Sequence, residues 1–481
     1  MKVAMLTPIP PERTGVAHYA SMLIPALRQH IDLEVIGSAS RAARQALPPD
    51  VIYQLGNNPF HEFVYREAMV RPGIAVLHDV VLHHLIVEMT LSRGDAEGYV
   101  AALRENHGAM GEAWARGRAG GVHSELGNFL MPASIVVANR SRAVIVHNQY
   151  AAGVLRFHGV RTPIHVVPHP YEHIDAASRR DEIRARHFFA AEDRVIGFFG
   201  FLNSSKRPEV VLEAFHAARA RDPRLRLLIV GEPAPNIDQS SFAADGITFT
   251  GYVPDEEFAA HYAAIDRLVN LRYPSAGETS GTLIRAFDAG KLAAVSDYAQ
   301  FAELPDSCVV KIPLGEGEVA ALTEFFVRDF PDPSAAQRRW LEENARMELT
   351  VNGYLAALGG SGVAQAILPA AVGKTSPIPL FPQLELLGVT DEMFTIRNIG
   401  DETIRTRTYG TPGYRLIARI VRAGRVIDDR WLELPRDLEP GGTAMLELPA
   451  KSGGGGTLAL YHALEGVPMF EPEPWVRATI H

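Results

Sequence analysis

Cysteine is almost absent from this 481-residue chain, where Cys308 stands alone. A single cysteine excludes an internal disulfide and suits a reducing compartment, the cytoplasm. Long apolar runs are missing too. None reaches the roughly 20 residues that a membrane-spanning helix requires. The apolar opening at 1–6 is too short for a secretory signal, and no small-residue cleavage pattern follows it. A surplus of positive charge is the third absence, since 47 Lys and Arg face 56 Asp and Glu for a net charge of −9. The whole molecule therefore has no electrostatic case for nucleic acid. No long Lys/Arg cluster demands an anionic surface, so contact with the inner face of a membrane is left to a local basic patch, as peripheral association.

The chain does have alternating apolar strands and helical patterns through about residue 300, which predict an α/β fold with parallel sheets. Its most informative loop is 274–281, Pro-Ser-Ala-Gly-Glu-Thr-Ser-Gly. An apolar run containing Ile265, Leu268, Val269 and Leu271 precedes it; a helical pattern over 282–289 and a short strand over 292–296 come after. Strand, acidic Gly/Ser loop and helix in that order put free backbone N–H groups and a positive helix end where an anion can sit. Glu278 stands beside them, able to hold hydroxyls. Phosphate and polyol recognised together suggest a sugar nucleotide. Alone, the loop reads first as an ordinary βα turn capped by Thr279 or Ser280.

A second segment changes that balance. Residues 195–208 read as a buried strand, a polar loop and two adjacent cations, Lys206 and Arg207, before a helix over 209–219. Cations at a helix start oppose the helix dipole, so a structural reason for them is weak. The carboxyl edge of a parallel sheet is where ligands bind. A diphosphate would explain the pair, with Lys as point charge and Arg as fork. Solvated surface cations are the alternative reading.

In the first half, a strand at 1–6 is followed by a loop carrying Gly15 and a helix over 17–28. Strands at 50–58 and 73–79 end in Asn57, Asn58, His78 and Asp79, with His61 just beyond the first, side chains suited to sugar hydroxyls. His78-Asp79 followed by His83-His84 is a poor metal set, because adjacent histidines rarely chelate one ion. His83 and His84 read as helix residues, one buried and one facing solvent. Strands at 142–148 and 164–170 close this half, and 335–358 has the spacing of one long helix with Trp340, Leu341 and Leu355.

Gly200, Lys206-Arg207, Gly231-Glu232, Gly251-Tyr252-Val253-Pro254, Pro274-Ser275, Glu278, Gly281 and Gly290, in that order, resemble the nucleotide-sugar half of a GT-B glycosyltransferase, specifically the retaining family 4 group. The resemblance spans about residues 1–355. It implies two Rossmann-like domains, 1–170 for the acceptor and 171–340 for the nucleotide sugar, with a crossover helix at 341–358 returning to the first. It implies His78, Glu278 and Lys206 as catalytic residues. Donor contacts would come from Gly15, Arg207, Tyr252, Val253, Ser280, Gly281, Thr282, Arg285 and Asp288, and acceptor contacts from Asn57, His61 and Asp79. The co-substrate would be a nucleotide-diphosphate sugar, with no metal and no other cofactor, and the acceptor a saccharide or lipid-linked hydroxyl of cell-surface polysaccharide or glycolipid assembly.

Two departures from the family pattern stand out. Its second Glu, a ribose contact, falls at Ala286 or Arg285 here, and an Arg cannot accept hydrogen bonds from ribose hydroxyls. Asp288 either accepts them or pairs with Arg285. The usual Arg of the phosphate loop is replaced by Phe201, with Arg207 or Arg285 as its substitute. These departures leave room for a rival reading: a catalytically inactive GT-B relative that binds a sugar nucleotide or glycan and serves in assembly. Another GT-B chemistry, such as an epimerase or phosphorylase, is opposed by the 274–281 loop and by the lack of a cofactor lysine constellation.

Beyond residue 360 the texture changes. Stretches 359–362 and 377–382 read as a linker, within a boundary of 359–382. Short runs at 393–398, 414–422, 444–448 and 457–464, bounded by turn residues, predict an all-β sandwich over 383–481. Segments 435–441 and 465–470 resemble Ig-like accessory domains of bacterial glycosyltransferases. Trp431, Tyr461, Phe470 and Trp475 read as half-buried sandwich aromatics rather than a lectin face.

Overall fold

Strands made of unbroken apolar runs must be covered on both faces, which only a parallel sheet with helices above and below provides. The computed structural model describes residues 1–12, 14–42, 47–121, 125–173, 177–234, 237, 242–359, 384–390, 392–400, 403–404, 414–422, 425–448, 456–464 and 476–480. They divide into two compact units, Met1–Leu85 with Ser134–Pro377, and Ile86–Ala133 with Ile378–His481.

The first unit holds two six-stranded sheets, each with every neighbouring pair parallel. Strands β1 (Lys2–Leu6), β2 (Asp32–Ile36), β3 (Asp50–Leu55), β4 (Ile74–Leu77), β5 (Ala143–Val146) and β6 (Ile164–Val166) are ordered β2-β1-β3-β4-β5-β6. Strands β7 (Arg194–Phe199), β8 (Leu225–Val230), β9 (Ile247–Phe249), β10 (Arg267–Asn270), β11 (Leu292–Ser296) and β12 (Val309–Ile312) are ordered β12-β11-β10-β7-β8-β9. Val3, Ala4, Met5 and Leu6 are wholly buried, as are Ile196, Leu227, Leu228 and Leu268.

Six helices position the site or tie the two sheets: α1 (Gly15–Leu27), α2 (Gln149–Phe157), α3 (Pro208–Arg221), α4 (Asp255–Ala264), α5 (Gly281–Asp288) and α6 (Met347–Gly359). Thr14 caps α1 by accepting from the Ala17 N–H, and Asn148 caps α2 through Ala151. The helices expected at 17–28, 209–219 and 282–289 are α1, α3 and α5, within two residues at each end. The single helix expected over 335–358 is two, Ser334–Asn344 and α6. Ala345 leaves helical geometry at φ −140°. Its carbonyl accepts the Tyr171 N–H at 3.0 Å, so the break ties the outgoing linker to the returning one. Helix α6 then buries Val351, Tyr354 and Ala357 among Val3, Met5, Tyr19, Leu23 and Ile52 of the first sheet's layer.

The second unit contains the helix Ala96–Ala119, kinked at Gly108, and two antiparallel sheets. Strands β13 (Leu384–Val389), β14 (Met393–Asn398) and β17 (Thr443–Glu447) form one; β15 (Tyr414–Arg422), β16 (Arg425–Glu433), β18 (Gly456–Leu464) and β19 (Val476–Ile480) form the other. Phe394, Ile396, Ala444 and Leu446 from the first meet Leu416, Ala418, Ile420, Leu458 and Leu460 from the second in a shared core. Residues 360–383, which include nearly all of the expected linker, lie outside the described residues, as do Phe470, Trp475 and the Trp431 side chain. Tyr461 is buried.

Candidate active site

The carboxyl ends of β7 and β10, neighbours in the second sheet, start the site. After Phe199 the chain turns through Gly200 at φ 89°. An ideal Cβ there would stand 2.7 Å from Lys206 Nζ and 3.5 Å from Thr282 Oγ1, so only glycine permits this approach. Lys206, 8% exposed, donates from Nζ to the Phe199 carbonyl at 2.6 Å. Burial pushes its pKa well down, and Arg272 adds to the effect while Glu278 opposes it.

Its neighbour Arg207 has a different fate. The guanidinium forks onto Glu318, Nε to Oε1 at 2.7 Å and Nη2 to Oε2 at 2.6 Å, and the two residues are 2% and 0% exposed. A carboxylate that deep needs a paired cation. The expected donor contact from Arg207 is therefore corrected: it is spent inside the second half.

The 274–281 loop places Glu278. Its Oε1 lies 2.8 Å from Arg272 Nε, and Oε2 accepts from the Ala276 N–H at 3.0 Å and from Ser275 Oγ at 3.3 Å. Ser280 is the N-cap of α5, accepting from the Leu283 N–H at 3.2 Å and donating to Asn270 Oδ1. The amides of Gly281 and Thr282 then have no acceptor within the helix, which is the anion-ready end expected. The loop also holds the first half. Ala276 O accepts the Val80 N–H at 2.7 Å, and Gly277 O accepts from Asn148 Nδ2 at 2.8 Å. Glu303 accepts from the N–H groups of Gln149 and Tyr150 at the start of α2.

The facing edge of the first sheet is uncharged in character. His78 bonds through Nε2 to Gln54 Oε1 at 2.6 Å, which assigns the proton to Nε2 and leaves Nδ1 an acceptor. Gln54 Nε2 donates to Tyr354 Oη at 3.0 Å, and Tyr354 Oη is 2.9 Å from Tyr19 Oη. Rings of Tyr19, His78, His147 and His169 meet edge-on or tilted at centroid distances from 4.6 to 5.9 Å. Burial, reinforced by the neighbouring histidines, holds His78 well below the usual imidazole range; burial alone puts His147 at about 4, against its hydrogen bond to Val167. These rings stay neutral at pH 7. Asp79 accepts the Asn57 N–H at 2.8 Å, and burial together with Glu278 raises its carboxyl to about 7.

Other expected residues divide. His61 is wholly buried, its Nδ1 on the Gln54 carbonyl at 2.8 Å, and burial lowers it to about 4. It is a core histidine, and the expected acceptor contact is corrected. Asn57 Oδ1 accepts the Leu85 N–H. Gly15 opens α1, and an added Cβ would meet no atom within 4 Å. Arg285 lies over the Phe258 ring and bonds His18 of α1 at 2.9 Å, while Asp288 bonds His173, not Arg285. Both line a cavity of about 230 Å³ with Arg180, Tyr262 and Lys291. Tyr252 is 49% exposed, and Val253 packs on the second sheet's core. His83 is buried and His84 exposed, as expected. Among the described residues no three His, Cys, Asp or Glu group as metal ligands, and no helix is long and apolar enough to cross a membrane.

Sequence reasoning missed Arg272, Gln54, Tyr19 and Tyr354. Arg272 stands two residues before Pro274, and a cation after an apolar strand was its only signal. The other three are read as apolar-run or helix residues until the fold brings them together.

Residues 193–327 match the family model described as Glycosyl transferases group 1. That span holds the whole second sheet, β7 to β12. No curated protein matches the sequence. Among solved structures, HepE of Anabaena in complex with UDP-glucose is similar at 13% identity and a TM-score of 0.53, over 75% of this chain and 100% of that one. Sucrose-phosphate synthase from Thermosynechococcus elongatus is similar at 15% identity and a TM-score of 0.51, with the same coverage. The fold is GT-B, two facing parallel sheets with an antiparallel region behind them in sequence.

Proposed function

We propose that the chain is a retaining glycosyltransferase of the family 4 type, moving a sugar from a nucleotide-diphosphate sugar to a hydroxyl acceptor. One observation carries this reading: buried Lys206, Glu278 and the unfilled N–H end of α5 converge at one sheet's carboxyl edge, facing a neutral histidine-lined edge.

The bond between the anomeric carbon and the diphosphate oxygen breaks as the acceptor oxygen bonds the same face of that carbon. The acceptor proton passes to the departing phosphate oxygen, so no protein base is required. Lys206 and the amides of Gly281 and Thr282 stabilise the charge that grows on the leaving group, as fixed electrostatics in a water-poor site. Glu278 holds sugar hydroxyls, and neutral His78 offers Nδ1 to a donor hydroxyl on the sugar. With that charge supplied by protein groups, the reading needs no metal. The family resemblance supports a saccharide or lipid-linked acceptor from cell-surface polymer assembly, a cytoplasmic setting with peripheral membrane contact, and an Ig-like role for the sandwich.

The test is calorimetric titration of UDP, GDP, ADP, dTDP and CMP without metal, on wild type and Lys206→Ala. Binding of one diphosphate, weakened by the substitution, supports the reading. Binding of none removes it. The Arg285–His18 link, where the family's ribose acid would stand, favours a second reading of an inactive binder. Tight nucleotide binding without hydrolysis or transfer from any matching sugar nucleotide would establish that instead.

A further inference from the structure

One lysine is little for two phosphates. Residues around the 206 turn contain a second cation that stands outside the motif order. Arg272 follows β10, and the next residue's N–H donates to the Ser205 carbonyl at 2.7 Å, which pins this stretch against the Lys206 turn. Arg272's own N–H donates to Ser296 Oγ at 2.9 Å. Its backbone is thus held from two sides. The residue is 7% exposed. Nε sits 2.8 Å from Glu278 Oε1, yet off the axis of a hydrogen bond, and among the described residues neither Nη group has a hydrogen-bond partner. A guanidinium that is buried, charged and short of acceptors is costly unless something supplies oxygens.

Two rival cations are already engaged. Arg207 is forked on Glu318, and Arg285 is stacked on Phe258 and bonded to His18. Arg272 alone of the three faces both Lys206 and Glu278. It lowers the lysine's pKa and also weighs on Asp79 across the cleft, which places it within Coulombic reach of both.

Resting on the nucleotide-sugar reading, we propose that Arg272 is the second diphosphate ligand, its Nη groups taking phosphate oxygens while Nε keeps Glu278 aimed at the sugar. A planar fork suits two non-bridging oxygens as a lysine does not. The same residue then couples occupancy by phosphate to the orientation of the carboxylate that reads the sugar. Glu278 is the partner whose position depends on it.

The experiment measures the affinity of the cognate nucleoside diphosphate by calorimetry and that of the bare nucleoside by ligand-observed NMR. Variants are Arg272→Gln, Arg272→Lys and Glu278→Gln, each checked by thermal melting. Loss of a charge-assisted fork predicts about a 30-fold weaker diphosphate for Arg272→Gln, with nucleoside affinity unchanged. Arg272→Lys, which keeps the charge, falls between the two and decides the matter if the Gln variant does not fold. Glu278→Gln keeps diphosphate affinity within about twofold or raises it, because a like charge leaves the phosphate site. Wild-type affinity in both Arg272 variants overturns the inference and leaves the parent reading standing. An equal loss in Glu278→Gln also overturns it, since Arg272 would then act only through that carboxylate. If wild type binds no diphosphate, the parent reading fails and this inference with it.

Discussion

The two sheet edges that face each other in the first unit are made of opposite materials. The edge after β7 and β10 is ionic, with Lys206, Arg272 and Glu278 in mutual reach. The edge after β1, β4, β5 and β6 is neutral, with Tyr19, His78, His147 and His169 packed edge-on or tilted and kept uncharged by burial. A leaving diphosphate needs fixed charge, whereas a sugar ring needs oriented donors and acceptors that do not drag water in. The asymmetry divides one reaction between two edges.

Adjacent cations on the ionic edge offer the largest effects. Arg207→Met strands a fully buried Glu318, and loss of one partner of such a pair costs about 3–5 kcal/mol. Urea unfolding should show that loss with nucleotide affinity unchanged in the folded protein; Arg207→Met with Glu318→Leu should recover most of it. Lys206→Ala should do the reverse. Diphosphate affinity drops about 100-fold, as for a buried charge-assisted contact, while stability holds or rises because a desolvated ammonium is gone. If Arg207→Met weakens binding as strongly as Lys206→Ala, the division between structural and functional cation collapses.

The neutral edge gives a smaller effect by a different route. Gln54→Leu removes the acceptor that orients His78 and one link of the chain to Tyr354 and Tyr19. The loss of about one oriented hydrogen bond predicts roughly a tenfold fall in kcat with little change in KM for the donor. A rise in KM with kcat intact would mean that His78 contributes uniform binding rather than transition-state contact.

The charged motifs were legible because chemistry of that kind is written locally. Glu278, Ser280 and Gly281 sit within four residues, and the loop is found where its strand and helix signals put it. Arg207 was misread for the complementary reason: its partner Glu318 lies 111 positions away, and nothing in the local run marks it. His61 and His78 look alike in sequence, each after a strand, yet His61 turns onto the Gln54 carbonyl and His78 onto the Gln54 side chain and the His147 ring. Tyr19, Gln54 and Tyr354 are brought together across separations of 300 and 335 residues, which only the returning helix α6 achieves. In the sandwich, β14, β15, β17 and β18 follow the expected runs. β16 was missed because Arg425–Glu433 carries Asp428, Asp429 and Arg430 in sequence, breaking the alternation that marks a strand.

Asp79 sharpens the comparison most finely, because it stands on the neutral edge but feels the ionic one. Burial comes first and Glu278 second in raising its carboxyl to about 7; the Asn57 amide and Arg272 oppose them. Its folded pKa is above the ordinary Asp range, so the native state holds a proton that the unfolded chain has released. Stability from this group is complete at low pH and declines as pH rises toward about 7, then levels. The slope is at most about 1.4 kcal/mol per pH unit in that window. Asp79→Asn should erase it, so the variant gains on wild type between pH 5 and 7 and holds a constant lead above pH 7.5 or so. Urea midpoints for both proteins across pH 5–8 would read this directly. Parallel curves would mean that Asp79 titrates as an exposed carboxylate, and that Glu278 does not project its charge across the cleft.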